Sequence, residues 1–388
     1  MATDIFASAN LAGIRLNNRI LRSATDETEA DDKGFPTEKL TKRYIALAKG
    51  EIGGIITGFM GVSEKGKAQQ PGMLLIDNDE KIPAFSKMVA AVHDAGAPVI
   101  AQIAHCGSNG AYGKEFKVDK ITAKQLEEIS RQFIDAVIRA KKSGFDGVQL
   151  HFAHGYFLSQ MISPATNHRR DDWGGSEEKR FHIADVIIKG IREQLPDYPV
   201  LVKINGEDDD KNGIHPREAV RISQRLEAVG VNAVEVSRGI SFMKHMGPMY
   251  GHFPAEMSLA WYPGVKELPG FVKSMMKPGM PKMMGSIDPA PRKYNVDVAK
   301  KIKSAVHIPV IAVGGIHDLE EIESTINVDG IDFVSMSRPL ILEPSLIQKY
   351  KQGRQTTAKC MECNHCGIGI SQGRLQCWYG KIPSEINR

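Results

Sequence analysis

Two histidines and a tyrosine lie close together in the fragment His151-Phe-Ala-His154-Gly-Tyr156. Two imidazoles three residues apart can hydrogen-bond to one oxygen atom of a ligand. A phenol, with an ordinary pKa of about 10, is a suitable proton donor to a carbanion-like carbon. A metal site is a second interpretation, although no carboxylate or third histidine lies nearby in sequence to complete it. A histidine pair satisfied within an ordinary loop is the third.

A phosphate group is another ligand that the sequence indicates. Gly314-Gly315 and Ser337-Arg338 each follow a short apolar run. Glycines allow the backbone to approach a ligand closely, and arginine adds a fixed positive charge. Barrel enzymes often bind phosphate with the loops after their seventh and eighth strands. The two pairs together therefore favour phosphate binding over two unrelated tight turns.

Four of the five cysteines lie close together in the C-terminal cysteine segment, residues 356–388. They are Cys360, Cys363, Cys366 and Cys377. A secreted disulfide scaffold is small and rich in cysteine throughout. Clustered thiols in a chain of this size are more typical of metal ligands. Cys106 is expected to be an ordinary buried or loop thiol.

Eight short apolar runs alternate with amphipathic stretches and predict the elements that position these residues. Apolar runs without alternation are typical of strands covered on both faces, and eight strand–helix units are the number that closes a barrel. We therefore predict a single α/β domain, a (β/α)₈ TIM barrel over residues 1–355. The predicted strands are Arg19–Ala24, Gly54–Phe59, Pro98–Ile103, Gly147–His151, Val200–Ile204, Ala233–Val236, Pro309–Val313 and Asp332–Met336, and the clearest helices are Thr37–Lys49, Ile82–Ala95, Ala123–Ser143, Ser176–Gln194, His215–Val229 and Asn295–Val306.

A long insertion, residues 238–292, follows the sixth predicted strand and is rich in Gly, Pro and Met. Loops that follow barrel strands lie at the catalytic face, so this insertion is a candidate substrate lid with local structure of its own. A peripheral insertion or an oligomer contact is the equally weighted alternative.

The composition is that of an ordinary soluble protein. The 388 residues carry a formal charge of +4, and 42% of them are hydrophobic. We see no dense basic run and no stretch of about 18 apolar residues, so we expect neither a nucleic-acid nor a membrane partner. The N-terminus does not resemble a signal peptide. We expect a cytoplasmic protein that acts on a small molecule, and a homo-oligomer is compatible with the sequence.

The longest motif closely resembles the fourth-strand signature of the Old Yellow Enzyme family of NAD(P)H:flavin oxidoreductases. It covers residues 150–181, LHFAHGYFLSQMISPATNHRRDDWGGSEEKRF. Fragments that match the family in the same order are Asn18-Arg19-Ile20, Arg22–Thr25, Gly53–Val62, Gln102–His105 and Val334–Pro339. The resemblance covers nearly the whole chain.

The resemblance implies FMN bound across the barrel mouth. The residues at matching positions are Ser23, Ala24, Thr25, Gly58, Gln102, Lys203, Gly314, Gly315, Ser337 and Arg338. The last four would hold the phosphate, and Lys203 would lie near N1 and the C2 carbonyl of the flavin. By the same resemblance His151 and His154 would polarise the substrate, and Tyr156 would protonate its α-carbon. The implied activity is reduction of an activated alkene by NAD(P)H in a ping-pong reaction.

Two features depart from the family pattern. Asp26 occupies the place of a threonine or cysteine beside the flavin O4, so either its carboxylate turns away or the redox behaviour differs. The insertion is also longer than in the simplest members.

The cysteines resemble the iron–sulfur segment of the 2,4-dienoyl-CoA reductase branch, with one residue fewer before the third cysteine. Three thiolates at these gaps can bind one face of a [4Fe–4S] cluster, with Cys377 as fourth ligand. One alternative is a zinc site in which His365 replaces one of the cysteines. The other is a reduced segment without metal. Because the chain ends soon after Cys377, we expect the further domains of that branch to be absent.

Two other functions remain open from the sequence. Lys203 inside a barrel strand is compatible with a Schiff-base aldolase, although that activity leaves the histidine and phosphate motifs unexplained. A redox-sensing or electron-carrying flavoprotein without an alkene substrate is the other, and the cysteines favour it.

Overall fold

The computed structural model describes residues 2–240, 250–262, 264–284 and 286–381. Its strands are β1 Ala9–Leu11, β2 Ile14–Leu16, β3 Ile20–Arg22, β4 Gly54–Ile56, β5 Met60–Gly61, β6 Leu74–Leu75, β7 Val99–Ala104, β8 Gly147–Phe152, β9 Val200–Asn205, β10 Ala233–Ser237, β11 Val310–Val313 and β12 Phe333–Met336. Its helices are α1 Glu38–Lys49, α2 Ile82–Asp94, α3 Ala123–Lys142, α4 Phe157–Ile162, α5 Glu177–Gln194, α6 Pro216–Val229, α7 Ala255–Trp261, α8 Gly270–Met276, α9 Met280–Met283, α10 Val296–Lys303, α11 Leu319–Asn327, α12 Arg338–Leu342, α13 Leu346–Lys351 and α14 His365–Gly369.

Eight parallel strands close into a barrel, as the sequence predicts. The strand order runs β4, β3, β12, β11, β10, β9, β8 and β7, and β4 pairs with β7 to complete the circle. Every residue of β7, β8, β9 and β10 is buried, because helices cover the outer face. The TIM barrel is therefore confirmed, and each predicted strand overlaps an observed one.

Capping residues explain where the main helices begin and end. The Thr37 hydroxyl accepts the Leu40 N–H at the start of α1, and Thr122 with Gln125 forms a capping box at the start of α3. Helix α6 ends at Gly230, which has a φ of 109° that favours glycine. These helices agree with the predicted ones to within a few residues.

A short hairpin that the sequence analysis did not predict closes the bottom of the barrel. Strands β1 and β2 pair antiparallel, with Leu11 opposite Ile14. Leu11, Ile14 and Leu16 pack in one apolar cluster with residues of the barrel strands, including Leu21 and Leu201. With this end filled by apolar side chains, the polar residues inside the barrel lie toward the opposite, C-terminal mouth.

The insertion has helices of its own, α7 to α9, as predicted for a segment of its length. Part of the predicted lid, residues 241–249, 263 and 285, lies outside the described residues. The cysteine segment contacts both the insertion, where Trp378 packs with Met257, and the barrel, where Arg43 donates to the Leu375 carbonyl. The domain boundary at 355/356 stays a prediction. In the described part of the chain, no helix combines the length and apolar character needed to cross a membrane.

Candidate active site

A buried carboxylate, Glu235, lies at the centre of a polar network inside the barrel. The register of β9 and β10 places Lys203 opposite Glu235, and Lys203 Nζ lies 3.3 Å from Glu235 Oε2. The hydroxyls of Ser23 and Ser335 donate to Glu235 Oε1 at 2.9 and 2.5 Å. Lys203 Nζ also donates to Ser23 Oγ at 2.9 Å. Two serine hydroxyls from other parts of the barrel thus hydrogen-bond to one buried ion pair.

Two glutamines extend the network across the barrel. Gln149 Nε2 donates to Glu235 Oε2 at 2.6 Å, and Gln102 Nε2 donates to Gln149 Oε1 at 2.7 Å. Gln149 and Glu235, which the sequence analysis did not predict, therefore connect three residues that it did predict: Ser23, Gln102 and Lys203. The signal that could have found them is a polar residue inside an otherwise apolar strand, since such residues need buried partners.

The Lys203 side chain is a buried basic group beneath the barrel mouth. Burial lowers its pKa from the ordinary value, and the neighbouring Glu235 carboxylate opposes that shift. Both side chains are almost fully buried, so the charge is little screened by solvent. A cation in this place can stabilise negative charge that develops on a bound ligand.

The end of β8, which contains His151, and the loop that follows bring His151, His154 and Tyr156 together. His154 and Gly155 have φ angles of 62° and 69°, so the chain turns sharply between His151 and Tyr156. The His151 ring centroid lies 5.0 Å from that of His154 and 5.1 Å from that of Tyr156. The three side chains can thus surround one ligand, as their spacing predicts.

Both imidazoles are held neutral. Burial lowers the pKa of His154 to about 3. Burial also lowers the pKa of His151 well below its ordinary value, and positive charge on His154 or Lys203 would lower it further. His154 Nε2 lies 2.7 Å from Ser237 Oγ. His151 Nδ1 is buried and has no hydrogen-bond partner among the described residues. A buried polar atom without a hydrogen bond costs free energy. A ligand that hydrogen-bonds to this nitrogen would therefore bind more tightly.

Tyr156 retains its proton over the physiological pH range. Burial raises the pKa of its phenol well above the ordinary value, and negative charge on Cys106, Asp26 or Tyr262 would raise it further. The ring of Phe59 packs 5.2 Å from that of Tyr156. A protonated phenol beside an apolar wall is suited to general-acid catalysis.

Asp26 lies close enough to Tyr156 to affect its pKa. Its carboxylate accepts the Gln70 Nε2 at 2.7 Å and the Thr28 N–H at 3.2 Å. Burial raises the Asp26 pKa to about 6, which these hydrogen bonds oppose. The group therefore changes charge close to neutral pH, and its effect on the flavin stays a prediction.

Part of the predicted flavin cradle lies at the ends of the first, second and last barrel strands. Thr25 Oγ1 lies 2.7 Å from Ser337 Oγ, which joins the ends of β3 and β12, and Ala24 is half-buried beside them. A Cβ on Gly58 would lie 2.1 Å from Glu27 Oε2. Only glycine fits there, so the carboxyl of Glu27 lies directly behind this part of the mouth.

The predicted phosphate loop has the backbone of a glycine pair. Gly314 and Gly315 have φ angles of 114° and 65°. A Cβ on Gly314 would lie 2.4 Å from the Tyr294 ring, so this ring covers the loop closely. Both glycines are therefore required by the local structure, whatever ligand their N–H groups bind.

Arg338 lies between the predicted phosphate loop and the cysteine segment. Its guanidinium donates to the Tyr250 carbonyl and to Asn364 Oδ1, both at 2.6 Å, and lies 3.7 Å from a carboxylate oxygen of Glu362. In this structure the side chain thus links the last barrel strand to the insertion and the cysteine segment.

The four cysteines line one cleft beside Arg338. The cleft has a volume of about 90 Å³, and the thiols of Cys360, Cys363, Cys366 and Cys377 are free. Within the described ranges, no three Cys, His, Asp or Glu side chains are arranged to hold a metal ion. A zinc ion needs its sulfur ligands about 2.3 Å from one point, whereas a cubane cluster binds each thiolate at a separate iron. Whether the four thiols hold a cluster, a zinc ion or no metal stays a prediction.

Comparison with known proteins identifies related chains. The model of the NADH:flavin oxidoreductase / NADH oxidase family matches residues 4–119, 108–258 and 222–357. An NADH oxidase of Thermoanaerobacter brockii is 30% identical over 96% of this chain, which covers 54% of that relative. The chain thus spans about half the length of that relative.

Solved structures show the same fold. A 2-naphthoyl-CoA reductase superposes with a TM-score of 0.77 at 20% identity, covering 96% of this chain and 56% of that protein. An Old Yellow Enzyme homologue from Zymomonas mobilis gives a TM-score of 0.71 at 17% identity and covers 98% of this chain and 99% of its own.

Proposed function

Because the chain belongs to the NADH:flavin oxidoreductase / NADH oxidase family, we propose that it is an FMN-dependent oxidoreductase that reduces an activated C=C bond with NAD(P)H. An enone or a similar electron-poor alkene is the proposed substrate. The observation that carries the proposal is the group formed by His151, His154 and Tyr156. The His151 ring lies 5.0 Å from that of His154 and 5.1 Å from that of Tyr156, and the register of β8 and β9 places His151 opposite the buried Lys203.

The residues of the barrel mouth fit a bound flavin. Its cradle would consist of Ser23, Ala24, Thr25, Gly58, Gln102, Lys203, Gly314, Gly315, Ser337 and Arg338. A flavin gains negative charge on reduction, and the Lys203 ammonium is the buried cation that would stabilise it. The unpartnered His151 Nδ1 further supports a ligand at this mouth.

The chain's own residues would bind and polarise the substrate. FMN held in this cradle would supply the hydride-transfer chemistry between NAD(P)H and the β-carbon of the alkene. His151 and His154, each neutral with one N–H, would donate to the carbonyl or nitro oxygen and withdraw electron density from the double bond. Tyr156 would transfer its phenolic proton to the α-carbon.

We further propose a [4Fe–4S] cluster bound by Cys360, Cys363, Cys366 and Cys377. The shared cleft that all four thiols line supports it. The sulfur-rich donor set suits iron–sulfur centres, and zinc is the competing occupant.

A single experiment tests both cofactors: a visible spectrum and metal analysis of protein purified without oxygen. We expect bound flavin, with about one FMN and about four iron atoms per chain, since four thiolates bind one [4Fe–4S] cluster. Protein that is colourless and does not take up FMN on reconstitution would overturn the proposed function. Zinc in place of iron would overturn the cluster alone.

A cysteine variant separates the two centres. Cys363→Ser is expected to lose iron and keep FMN, because Cys363 lies in the cleft and not in the proposed flavin cradle. The matched control is Cys106→Ser, which changes a buried thiol outside the cleft and is expected to keep both.

Asp26 is expected to make alkene reduction pH-dependent. The Asp26 pKa is raised to about 6, so its carboxylate is charged above that pH. That charge raises the Tyr156 pKa and disfavours the phenolate left after proton donation. The rate of flavin oxidation by an enone should therefore fall as pH rises through about 6, and Asp26→Asn should abolish this fall. An unchanged inflection in the variant would show that another group titrates.

The ion pair of Lys203 with Glu235 bears on the aldolase alternative. A Schiff-base lysine reacts as a free amine. Lys203 Nζ lies 3.3 Å from the Glu235 carboxylate and donates to Ser23, and the carboxylate favours the ammonium form against the effect of burial on the pKa. The second candidate function is therefore an electron carrier, which the cysteine cleft favours. NAD(P)H oxidation stimulated by cyclohexenone would count against it.

A further inference from the structure

The left-handed turn at His154 is held by the end of a neighbouring strand. His154 has a φ of 62°, a backbone conformation that is unfavourable for a residue with a side chain. Asn205, the last residue of β9, accepts the His154 N–H through its Oδ1 at 3.1 Å. This hydrogen bond fixes the backbone of a proposed substrate-binding residue in a conformation that it would not otherwise favour.

The imidazole of His154 is held by the next strand of the barrel. The hydroxyl oxygen of Ser237, the last residue of β10, lies 2.7 Å from His154 Nε2. The register of β9 and β10 pairs Asn205 with Ser237. Two adjacent strand ends therefore contact one residue, Asn205 at its backbone and Ser237 at its side chain.

The orientation of the Asn205 amide is set by a buried carboxylate. Asn205 Nδ2 donates to Asp208 Oδ1 at 2.9 Å. An ionised carboxylate has only acceptor atoms, so the amide must turn its NH₂ group toward Asp208 and its oxygen toward the His154 N–H. Both side chains are buried, so solvent is not a competing partner. Asp208 thus determines which atom of Asn205 faces the catalytic loop.

The same carboxylate also holds the chain beyond Tyr156. Asp208 Oδ2 accepts the Ser163 hydroxyl at 2.5 Å and the Ile214 N–H at 2.8 Å. Ser163 follows α4, the helix that begins directly after Tyr156. Burial raises the Asp208 pKa, and the hydrogen bonds that it accepts oppose this shift. Asp208 is therefore connected to the catalytic loop on both sides of Tyr156, before it through the asparagine and after it through Ser163.

We propose that Asn205 and Asp208 are positioning residues for substrate binding: they hold His154 where its imidazole meets the oxygen of the bound alkene. This inference rests on the proposed function, because it concerns a histidine that would polarise the substrate. Neither positioning side chain needs to touch the substrate. Without the Asn205 amide the His154 backbone would be free, and binding would have to order the imidazole at a cost in affinity.

Ligand titration of the FMN-loaded protein tests the inference. Binding of 4-hydroxybenzaldehyde, followed by the flavin spectrum, should weaken about three- to tenfold in Asn205→Ala, the range that corresponds to loss of one hydrogen bond. Asn18→Ala is the matched control. Asn18 is also buried, and it hydrogen-bonds to the Glu51 carbonyl and the Ile20 N–H at the start of a barrel strand, away from the mouth. This control should bind the phenol like the unchanged protein.

An exchange of the two polar side chains gives a sharper test. In Asp208→Asn alone, N–H donors face each other at His154, at Ile214 or between the two amides, whichever way the amides turn. Binding should therefore weaken as in Asn205→Ala. Addition of Asn205→Asp restores a complementary set, because the new carboxylate accepts both the His154 N–H and the new amide, whose oxygen accepts the donors of Ser163 and Ile214. The double variant should recover most of the lost affinity.

Two further measurements show whether Asn205 acts through His154. Asn205→Ala should add little to the loss of affinity in His154→Ala, since both changes remove the same positioned imidazole. Amide hydrogen exchange of the protein as purified gives a readout without any ligand. The His154 N–H should exchange about three- to tenfold faster in Asn205→Ala, because it loses its acceptor, and at the original rate in Asn18→Ala.

Several outcomes would overturn the inference. If Asn205→Ala binds the phenol with unchanged affinity, or weakens binding equally with and without the His154 imidazole, the asparagine does not position this histidine. If the exchanged double variant is folded and binds as weakly as Asp208→Asn, the complementary hydrogen bonds do not control binding. In both cases the proposed function survives, provided that the unchanged protein holds FMN and reduces the alkene. Absence of FMN from the unchanged protein would remove both proposals.

Discussion

Tyr156→Phe is expected to slow reoxidation of the reduced flavin by an enone about 10²–10⁴-fold, the usual contribution of a positioned general acid. The variant keeps the ring that packs 5.2 Å from Phe59 and 5.1 Å from His151, and removes only the oxygen and its proton. Reduction of the flavin by NAD(P)H requires no proton at the α-carbon, so this half-reaction should change little. The two half-reactions are separated by anaerobic stopped-flow measurements.

A matched control for this experiment is Tyr198→Phe. The Tyr198 hydroxyl is also buried, and it donates to the Phe145 carbonyl at 2.8 Å, away from the barrel mouth. Its loss should leave both half-reactions nearly unchanged. Equal slowing of the two half-reactions in Tyr156→Phe would show that the phenol serves flavin binding or local structure, and the proton donor would have to be sought elsewhere.

The barrel itself could be predicted because its strands carry their own signal. A run such as Val200–Ile204 is apolar on both faces, apart from Lys203, and the helix that follows repeats its apolar residues at helical spacing. The strands β1 and β2 gave no such signal. Each has three residues, and their burial against Leu21 and Leu201 depends on the barrel being closed, which no local pattern reports.

The site was predicted where a motif is continuous in sequence and missed where partners are far apart. His151 lies near the end of β8, and His154 and Tyr156 follow within five residues, so their spacing was enough to predict that they lie close together. Glu235 was missed although it follows two apolar residues in its strand. Its partners come from β8, β9, β12 and the residue after β3, and only the strand register places them together. The contacts of Arg338 with Tyr250 and Asn364 likewise depend on how the insertion and cysteine segment pack.

Glu235→Ala is expected to lower the free energy of unfolding by about 3–5 kcal/mol, because it leaves the Lys203 ammonium buried without its counter-charge. Lys203 is 2% exposed and Glu235 is fully buried, so solvent cannot replace the lost carboxylate. The hydroxyls of Ser23 and Ser335 lose their acceptor as well. Urea unfolding of the FMN-free protein measures the effect. A loss below about 1 kcal/mol, the value typical of exposed pairs, would contradict the buried ion pair.

A double variant separates the structural role of this ion pair from its proposed chemical role. Lys203→Met with Glu235→Leu replaces both charges by apolar side chains of similar size, an exchange that is often neutral or stabilising in buried sites. The double variant should therefore recover most of the lost stability. It should not recover function, because the cation that would stabilise reduced flavin is gone. If the flavin potential and reduction rate also return to those of the unchanged protein, then Lys203 serves only the fold. If they stay impaired in a stable protein, then the barrel maintains a costly buried charge for its effect on the cofactor.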